Sequence, residues 1–159
     1  MPHATPSTHP RCGNPSCRYG RDVEAALAKR LDGLGFERQL APNKGEITTP
    51  HEFPVKRNFY GECTVYGRKC DLLIGLPDGR VVAVEAKDSS SVLNSVKRVL
   101  NDTAAKAEIW QRHAGKIVVP VALLSGVFGL DNLTSAQGSG LYLVWTHDLD
   151  SFVDRLDAQ

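Results

Sequence analysis

The stretch CDLLIGLPDGRVVAVEAK, residues 70–87, decides the fold that we predict for this chain. Two apolar runs flank Pro77-Asp78-Gly79, a combination typical of a tight turn between antiparallel strands. Both runs are almost continuously apolar, which is typical of strands in a sheet that is covered on both faces. The sequence therefore predicts a buried β-hairpin.

The turn also predicts the register of the hairpin. If Leu76 pairs with Arg80, counting away from the turn by the same number of residues on each strand places Asp71 opposite Glu85. Directly opposed residues project to one face with their Cβ atoms about 4.5–5.5 Å apart. Lys87 is two residues beyond Glu85 and projects to the same face. We therefore expect two carboxylates and an ammonium at the open end of the hairpin, unless a bulge residue shifts the register.

This set of side chains is suited to metal-dependent chemistry. Two apposed carboxylates repel each other unless a cation lies between them, and oxygen ligands favour a hard ion such as Mg²⁺, with Mn²⁺ as a possible substitute. Such an ion polarises a phosphate and activates a bound water, which Lys87 would orient. The alternative is a structural salt bridge between Lys87 and Glu85. Charges at the end of an apolar strand are costly, which favours the catalytic interpretation.

Asp78 is a second acidic residue near Glu85 in the sequence. It lies in the turn, however, and about 23 Å of strand at about 3.3 Å per residue separates it from Glu85. We therefore predict that Asp78 turns the chain and does not share a metal with Glu85.

The rest of the chain predicts helices around one sheet. Residues 1–20 are expected to form an extended or poorly ordered N-terminal arm, and residues 21–159 a single α/β domain. A helix is expected to open at Asp22, and a long helix covers 92–114. A buried strand, a short helix, another strand and a closing helix capped by Asp148 follow. The prediction is a mixed β-sheet flanked by helices.

Two segments are candidates for DNA contact. The irregular segment 41–61 carries cations, an amide and an aromatic side chain that suit backbone and base contacts, namely Lys56, Arg57, Asn58 and Tyr60. The start of the long helix adds Asn94 and Lys97. The alternatives are a basic surface loop with its aromatics packed inward and a helical ion ladder of Arg98, Asp102 and Lys106.

The composition limits the possible partners. The chain has 159 residues, 42% of them hydrophobic, and a formal net charge of +1, so any surface that binds DNA needs clustered cations. No apolar run reaches the roughly 20 residues that a membrane helix needs, and residues 1–10 lack a secretory pattern, which predicts a cytoplasmic protein. The four cysteines are expected to be reduced. A structural zinc at Cys12 and Cys17, with Cys63 and Cys70 as the distant pair, is the less favoured interpretation because the second spacing is loose.

The motif itself resembles that of a known superfamily. Asp71, thirteen intervening residues and Glu85-Ala86-Lys87 resemble the motif of the PD-(D/E)xK nucleases, and residues 68–155 resemble the XamI-type restriction endonucleases. The resemblance implies a restriction-endonuclease-like core of αβββαβ type. It further implies that Asp71, Glu85 and the carbonyl of Ala86 bind Mg²⁺, that Lys87 serves the water, and that cleavage leaves a 5′-phosphate.

A third acid and a dimer are also implied. The family often has an acidic residue on the helix before the core, where this chain has Glu24; a solvated helix face is the alternative, and Glu62 could replace Glu24. We expect a Mg²⁺-dependent endonuclease of restriction type acting on double-stranded DNA as a homodimer, because palindromic cleavage needs two sites. A structure-specific repair or recombination nuclease and a non-cleaving DNA-binding module are the alternatives. The chain is short for a restriction enzyme, which suggests a truncated or minimal member.

Overall fold

A central six-stranded sheet organises the structure, a computed structural model that describes the backbone of residues 15–89 and 95–159 and the side chains of residues 22–88 and 101–159. The helices are α1 (Pro15–Gly33), α2 (Ser95–Ala114), α3 (Leu130–Gly138) and α4 (Leu149–Asp157). The strands are β1 (Glu37–Gln39), β2 (Glu46–Ile47), β3 (Asn58–Tyr60), β4 (Cys63–Val65), β5 (Arg68–Cys70), β6 (Leu72–Gly75), β7 (Val81–Ser89), β8 (Val118–Gly126) and β9 (Tyr142–Trp145).

The strand order of the central sheet is β1-β3-β6-β7-β8-β9. Strands β3, β6 and β7 are antiparallel neighbours, and β7, β8 and β9 run parallel, with α2 and α3 as the crossovers. The order α1, β3, β6, β7, α2, β8 gives the expected αβββαβ core. The prediction of a mixed sheet flanked by helices is confirmed. Strands β2, β4 and β5 form a separate small sheet.

The alternation of side chains along β7 separates two cores. Val82 and Val84 pack with residues of α1 and α4, whereas Val81 and Ala83 pack with α2 and the small sheet. Because successive strand residues point to opposite faces, Glu85 continues the row of Val81 and Ala83. The site therefore lies on the face of the sheet that α2 covers.

The predicted strand over residues 70–76 is broken at Asp71. Cys70 ends β5 in the small sheet, and Leu72 begins β6 in the central sheet. The chain therefore changes sheets at Asp71. The segment 41–61, predicted as irregular, contains the short strands β2 and β3. Strand β3 belongs to the central sheet, and its residue Phe59 is fully buried in the core.

Helix α1 begins at Pro15 rather than at Asp22, so residues 15–20 are helical and not part of an arm. Proline fits the first turn of a helix, where its missing N–H has no partner to lose. Residues 1–14 and 90–94 lie outside the described residues.

Asp148 occupies the N-cap position of α4 without a side-chain capping bond. Its ψ of 22° continues the preceding 3₁₀ turn, whereas a capping residue is normally extended. Among the described residues, no helix is both long and apolar enough to span a bilayer.

Candidate active site

The hairpin has the register that its turn predicts. The ladder pairs Leu72 with Val84 and Gly75 with Val81, and the Leu76 N–H donates to the Arg80 carbonyl at 2.8 Å. Asp78 accepts hydrogen bonds from the backbone and side chain of Arg80, which confirms that it serves the turn. The observed ladder therefore has the predicted register as far as Leu72 and Val84, one residue before Asp71.

Asp71 lies just past the last pair of this ladder. Its N–H donates to the Val84 carbonyl at 3.0 Å, and its Oδ2 accepts a hydrogen bond from the Ala86 N–H at 2.8 Å. In a regular ladder a backbone carbonyl would accept that N–H. Because the N–H and C=O of one strand residue face the same neighbour, the Ala86 carbonyl is directed into the gap that Asp71 fills.

Glu85 is the buried acid of the site, with only 5% of its surface exposed. Its Oε1 accepts hydrogen bonds from Lys87 Nζ at 2.7 Å and from Lys106 Nζ at 2.6 Å. Its Oε2 is buried and has no hydrogen-bond partner in the part of the chain that the structure describes. The ion pair expected as the structural alternative is thus present, but it occupies only one of the two carboxylate oxygens.

Lys106 is the site residue whose contact with Glu85 the sequence did not predict. From the sequence, Lys106 was either a phosphate contact or a member of an exposed ladder with Asp102, and the Lys106 Nζ to Asp102 Oδ2 distance is 3.7 Å. However, Lys106 is three positions after Thr103 and four before Trp110, both fully buried. Residues at these spacings share a helix face, so the position next to the buried stripe was the available signal.

Glu24 faces the same cluster of acids. Its pKa is raised to about 7 because it is partly buried and because Asp71, Glu62 and Glu85 carry like charges nearby. Burial, followed by the charge of Glu85, also raises the pKa of Asp71, although the Ala86 hydrogen bond opposes the shift. Glu62 forms an ion pair with Lys69 at 2.8 Å. Both candidate third acids therefore lie on this side of the molecule.

The donor atoms fit a magnesium ion with water in its remaining positions. Among the side chains of residues 22–88 and 101–159, no three from His, Cys, Asp or Glu come close enough to hold a metal on their own. Mg²⁺ in proteins typically takes one or two carboxylates and keeps several waters. The Asp71 carboxylate, Glu85 Oε2 and the Ala86 carbonyl are the groups that would supply that set.

The model of the XamI restriction endonuclease family matches residues 15–145. The chain belongs to this family. The Type II restriction enzyme XamI of Xanthomonas campestris pv. amaranthicola is 40% identical over 103 residues, which cover 64% of this chain and 36% of that enzyme. The crystal structure of protein VC1899 from Vibrio cholerae superposes with a TM-score of 0.44 and 10% identity over 91% of this chain and 35% of that one. The chain thus spans about a third of the length of these relatives.

In this XamI-family chain, Arg57 lies at the turn end of the hairpin. Its N–H donates to the Gly75 carbonyl at 3.0 Å, which is about 13 Å along the sheet from Glu85 at about 3.3 Å per residue. Its guanidinium pairs with Asp157 at 2.5 Å, donates to the Leu34 carbonyl and lies 5.1 Å from the Phe36 ring centroid. Arg57 therefore links the end of α4 to the segment between α1 and β1.

The other predicted DNA-contact residues are dispersed. Asn58 and Tyr60 are buried, and Tyr60 packs in the core under α2. Lys56 is exposed and lies near Asp78, whose pKa is lowered mainly by the Arg80 N–H and to a smaller extent by Lys56. Asn94 and the side chain of Lys97 lie outside the described residues. The structure does not bring Lys56, Asn58 or Tyr60 into contact with Glu85, and their DNA contact stays a prediction.

Two of the four cysteines are described in full. Cys63 and Cys70 are buried, free and directly opposed on β4 and β5, and the Cys70 thiol donates to the Leu72 carbonyl at 3.0 Å. Burial raises the pKa of the Cys70 thiol well above its ordinary value, which suits an inert core residue. Cys12 and the side chain of Cys17 lie outside the described residues, and so does the zinc site that was the less favoured interpretation.

Proposed function

We propose that this XamI-family chain hydrolyses phosphodiester bonds of double-stranded DNA in a Mg²⁺-dependent reaction, as the catalytic domain of a type II restriction endonuclease. The observation that carries the proposal is the convergence of Asp71, Glu85 and Lys87 at the open end of the hairpin. Family membership supports the choice of DNA as the substrate.

The residues that would hold Mg²⁺ are Asp71, Glu85 through Oε2, and Ala86 through its carbonyl; Mn²⁺ is a plausible substitute for an oxygen-ligand site. When bound, the ion would polarise the scissile phosphate and lower the pKa of a bound water. Asp71 is held for this task by Ala86, and Glu85 is held by its lysine contacts.

Lys87 is the cation that would serve the attacking water and the scissile phosphate in the proposed reaction. Its side chain is 18% exposed and lies near the end of β7, at the open end of the hairpin. There it would orient the attacking water and screen the negative charge that develops on the phosphate, leaving a 5′-phosphate on the product. We assign Glu24 rather than Glu62 as the third acid, because the Glu62 carboxylate is already paired with Lys69.

The whole enzyme is proposed to act as a cytoplasmic homodimer. Cutting both strands of a palindromic site requires two active sites related by a two-fold axis. Lys97 on α2 is proposed as a phosphate contact, since α2 follows the strand that ends beyond Lys87. Sedimentation equilibrium, with and without a cleavable duplex, tests the dimer.

The test is a digest of unmethylated plasmid DNA by the 159-residue chain in Mg²⁺, in Mn²⁺ and in EDTA, with the fragment ends sequenced. We expect cleavage at a defined sequence with either metal, none in EDTA, and about a hundredfold loss or more for Asp71→Ala and for Lys87→Ala. Asp78→Ala is the matched control, because Asp78 serves the turn. Undiminished cleavage by Lys87→Ala would overturn the site, and cutting of branched junctions but not of plasmids would favour a structure-specific nuclease.

A further inference from the structure

Two partly buried lysines share a single oxygen of Glu85. Lys87 Nζ is 2.7 Å and Lys106 Nζ 2.6 Å from Oε1, and the two side chains are 18% and 13% exposed. Two other carboxylates lie nearby, but Asp71 accepts from the Ala86 N–H, and Asp102 Oδ2 is 3.9 Å from Lys87 Nζ and 3.7 Å from Lys106 Nζ, so the short contacts of both lysines go to Glu85. The second lysine therefore calls for a role that Lys87 does not already fill.

Lys106 is held independently of Lys87. It lies on α2 between the buried residues Thr103, Ala107 and Trp110, and the Trp110 Nε1–H donates to the Val65 carbonyl at 3.0 Å. These contacts fix the helix against the small sheet, whereas Lys87 lies near the end of β7. A displacement of the Lys87 side chain would leave Lys106 in place.

The two bonds also determine which oxygen of Glu85 is available. Both ammonium groups engage Oε1, and Oε2 is buried without a hydrogen-bond partner among the described residues. A cation on Oε1 that is anchored from α2 keeps the carboxylate in this orientation.

We propose that Lys106 is a positioning residue that neutralises and orients Glu85 through Oε1, so that Lys87 is free to leave the carboxylate and serve the scissile phosphate. This inference rests on the proposed nuclease function. Without Lys106, Glu85 would keep Lys87 as its counter-ion, because a buried carboxylate without a cation is strongly disfavoured. Lys106 would thus act on the reaction through Lys87 and not by touching the substrate.

The first test compares Lys106→Met with wild type in two measurements. Calorimetric titration with Ca²⁺, without DNA, should show about tenfold tighter binding, because a positive charge a few ångströms from Glu85 Oε2 is removed. The kcat for plasmid cleavage in Mg²⁺ should fall at least about tenfold with KM changed less than about threefold, because Lys87 is retained by Glu85. Arg112→Met is the matched control, since Arg112 lies on the same helix in an exposed pair with Glu108.

The second test uses a conservative variant. Lys106→Arg keeps the charge and should restore kcat to within about fivefold of wild type. A Lys106→Arg variant as slow as Lys106→Met would overturn the proposal.

Folding and function can be separated in these experiments. Circular dichroism and urea unfolding check each variant, and Lys106→Gln replaces Lys106→Met if the latter does not fold. Weakened Ca²⁺ binding or an unchanged kcat in the folded variant would overturn the role of Lys106. If wild type cuts no DNA, the proposed function fails, and tighter Ca²⁺ binding by Lys106→Met would still support the coupling between Lys106 and Glu85.

Discussion

The carboxylate of Asp71 accepts a hydrogen bond from the backbone N–H of Ala86 at 2.8 Å. One side chain therefore performs two tasks: it completes the strand pairing where β5 and β6 part, and it presents a negative charge beside Glu85. These tasks require different properties of residue 71. The first needs only an acceptor, and the second needs a charge.

Substitutions at Asp71 separate the two tasks. Asp71→Asn keeps an oxygen that can accept from Ala86, so its free energy of unfolding should stay within about 0.5 kcal/mol of wild type, whereas Asp71→Ala should lose about 1–2 kcal/mol. Both variants should lose Mg²⁺-dependent cleavage, because neither carries the charge. Urea unfolding and plasmid digestion provide the measurements. Equal stabilities of the Asn and Ala variants would contradict the role of the Ala86 hydrogen bond.

Glu24→Gln should stabilise the protein in a pH-dependent manner. The pKa of Glu24 rises from 4.5 to about 7 on folding, so the unfolded chain loses this proton first and wild type loses stability as pH rises through that interval. Glutamine has no such proton. In EDTA the two proteins should be equally stable at pH 4, and the variant should be more stable by about 1 kcal/mol at pH 8, a value reduced by the partial exposure of Glu24.

A matched control for this experiment is Glu46→Gln, which changes an exposed carboxylate on β2. It should show no such dependence on pH. Urea unfolding at four or more pH values gives the curve. A Glu24→Gln advantage that is the same at pH 4 and pH 8 would show that charge repulsion is not its cause.

Gly75→Ala should be strongly destabilising. A Cβ on Gly75 would lie 2.6 Å from the Pro54 carbonyl oxygen and closer still to that of Val55, and backbone atoms cannot move aside cheaply. We expect a loss of about 2–3 kcal/mol in the free energy of unfolding. Gly33→Ala, at the end of α1, has nothing within 4 Å and should be neutral or stabilising by up to about 1 kcal/mol. Thermal or urea unfolding of both variants measures these changes in the free energy of unfolding.

Arg57→Ala should act on stability first. Its guanidinium joins Asp157 and the Leu34 carbonyl and lies over the Phe36 ring, and a partly exposed network of this kind contributes about 1–2 kcal/mol. Lys56→Ala, its exposed neighbour, should change stability by less than about 0.5 kcal/mol. Fluorescence anisotropy with a duplex in Ca²⁺ then compares DNA affinity. A stable Arg57→Ala variant with weakened DNA binding would favour direct contact.

The hairpin was predictable because it is a local structure. Leu76 and Arg80 are close in sequence, so the turn alone determined their pairing and, with it, the register of the ladder as far as Leu72 and Val84. The burial of β7 on both faces was predictable for the same reason, because its residues are almost continuously apolar. No comparable local signal marked the break at Asp71. The residues before it form β5, which pairs with β4 in the small sheet, and tertiary contacts determine that pairing.

The missed features depend on long-range contacts. Lys106 reaches Glu85 only because Trp110 and the small sheet hold α2 at one position on the sheet, and helical periodicity alone cannot supply that distance. Arg57 carried the signal of a DNA-binding loop, yet the residues that engage it, Asp157 and Leu34, are distant in sequence. Composition predicts a surface cation, whereas the packed fold determines its partner.

The break between β5 and β6 also limits how this protein can change over generations. Because residue 71 supplies the acceptor for the Ala86 N–H, a descendant that replaced Asp71 with a residue lacking an acceptor would lose a strand contact at the same step. Replacements that keep an acceptor would survive most readily, so an inactivated lineage should retain asparagine or serine there long after Lys87 had drifted. The trace of the lost enzyme would then persist in a residue kept for the sake of the sheet.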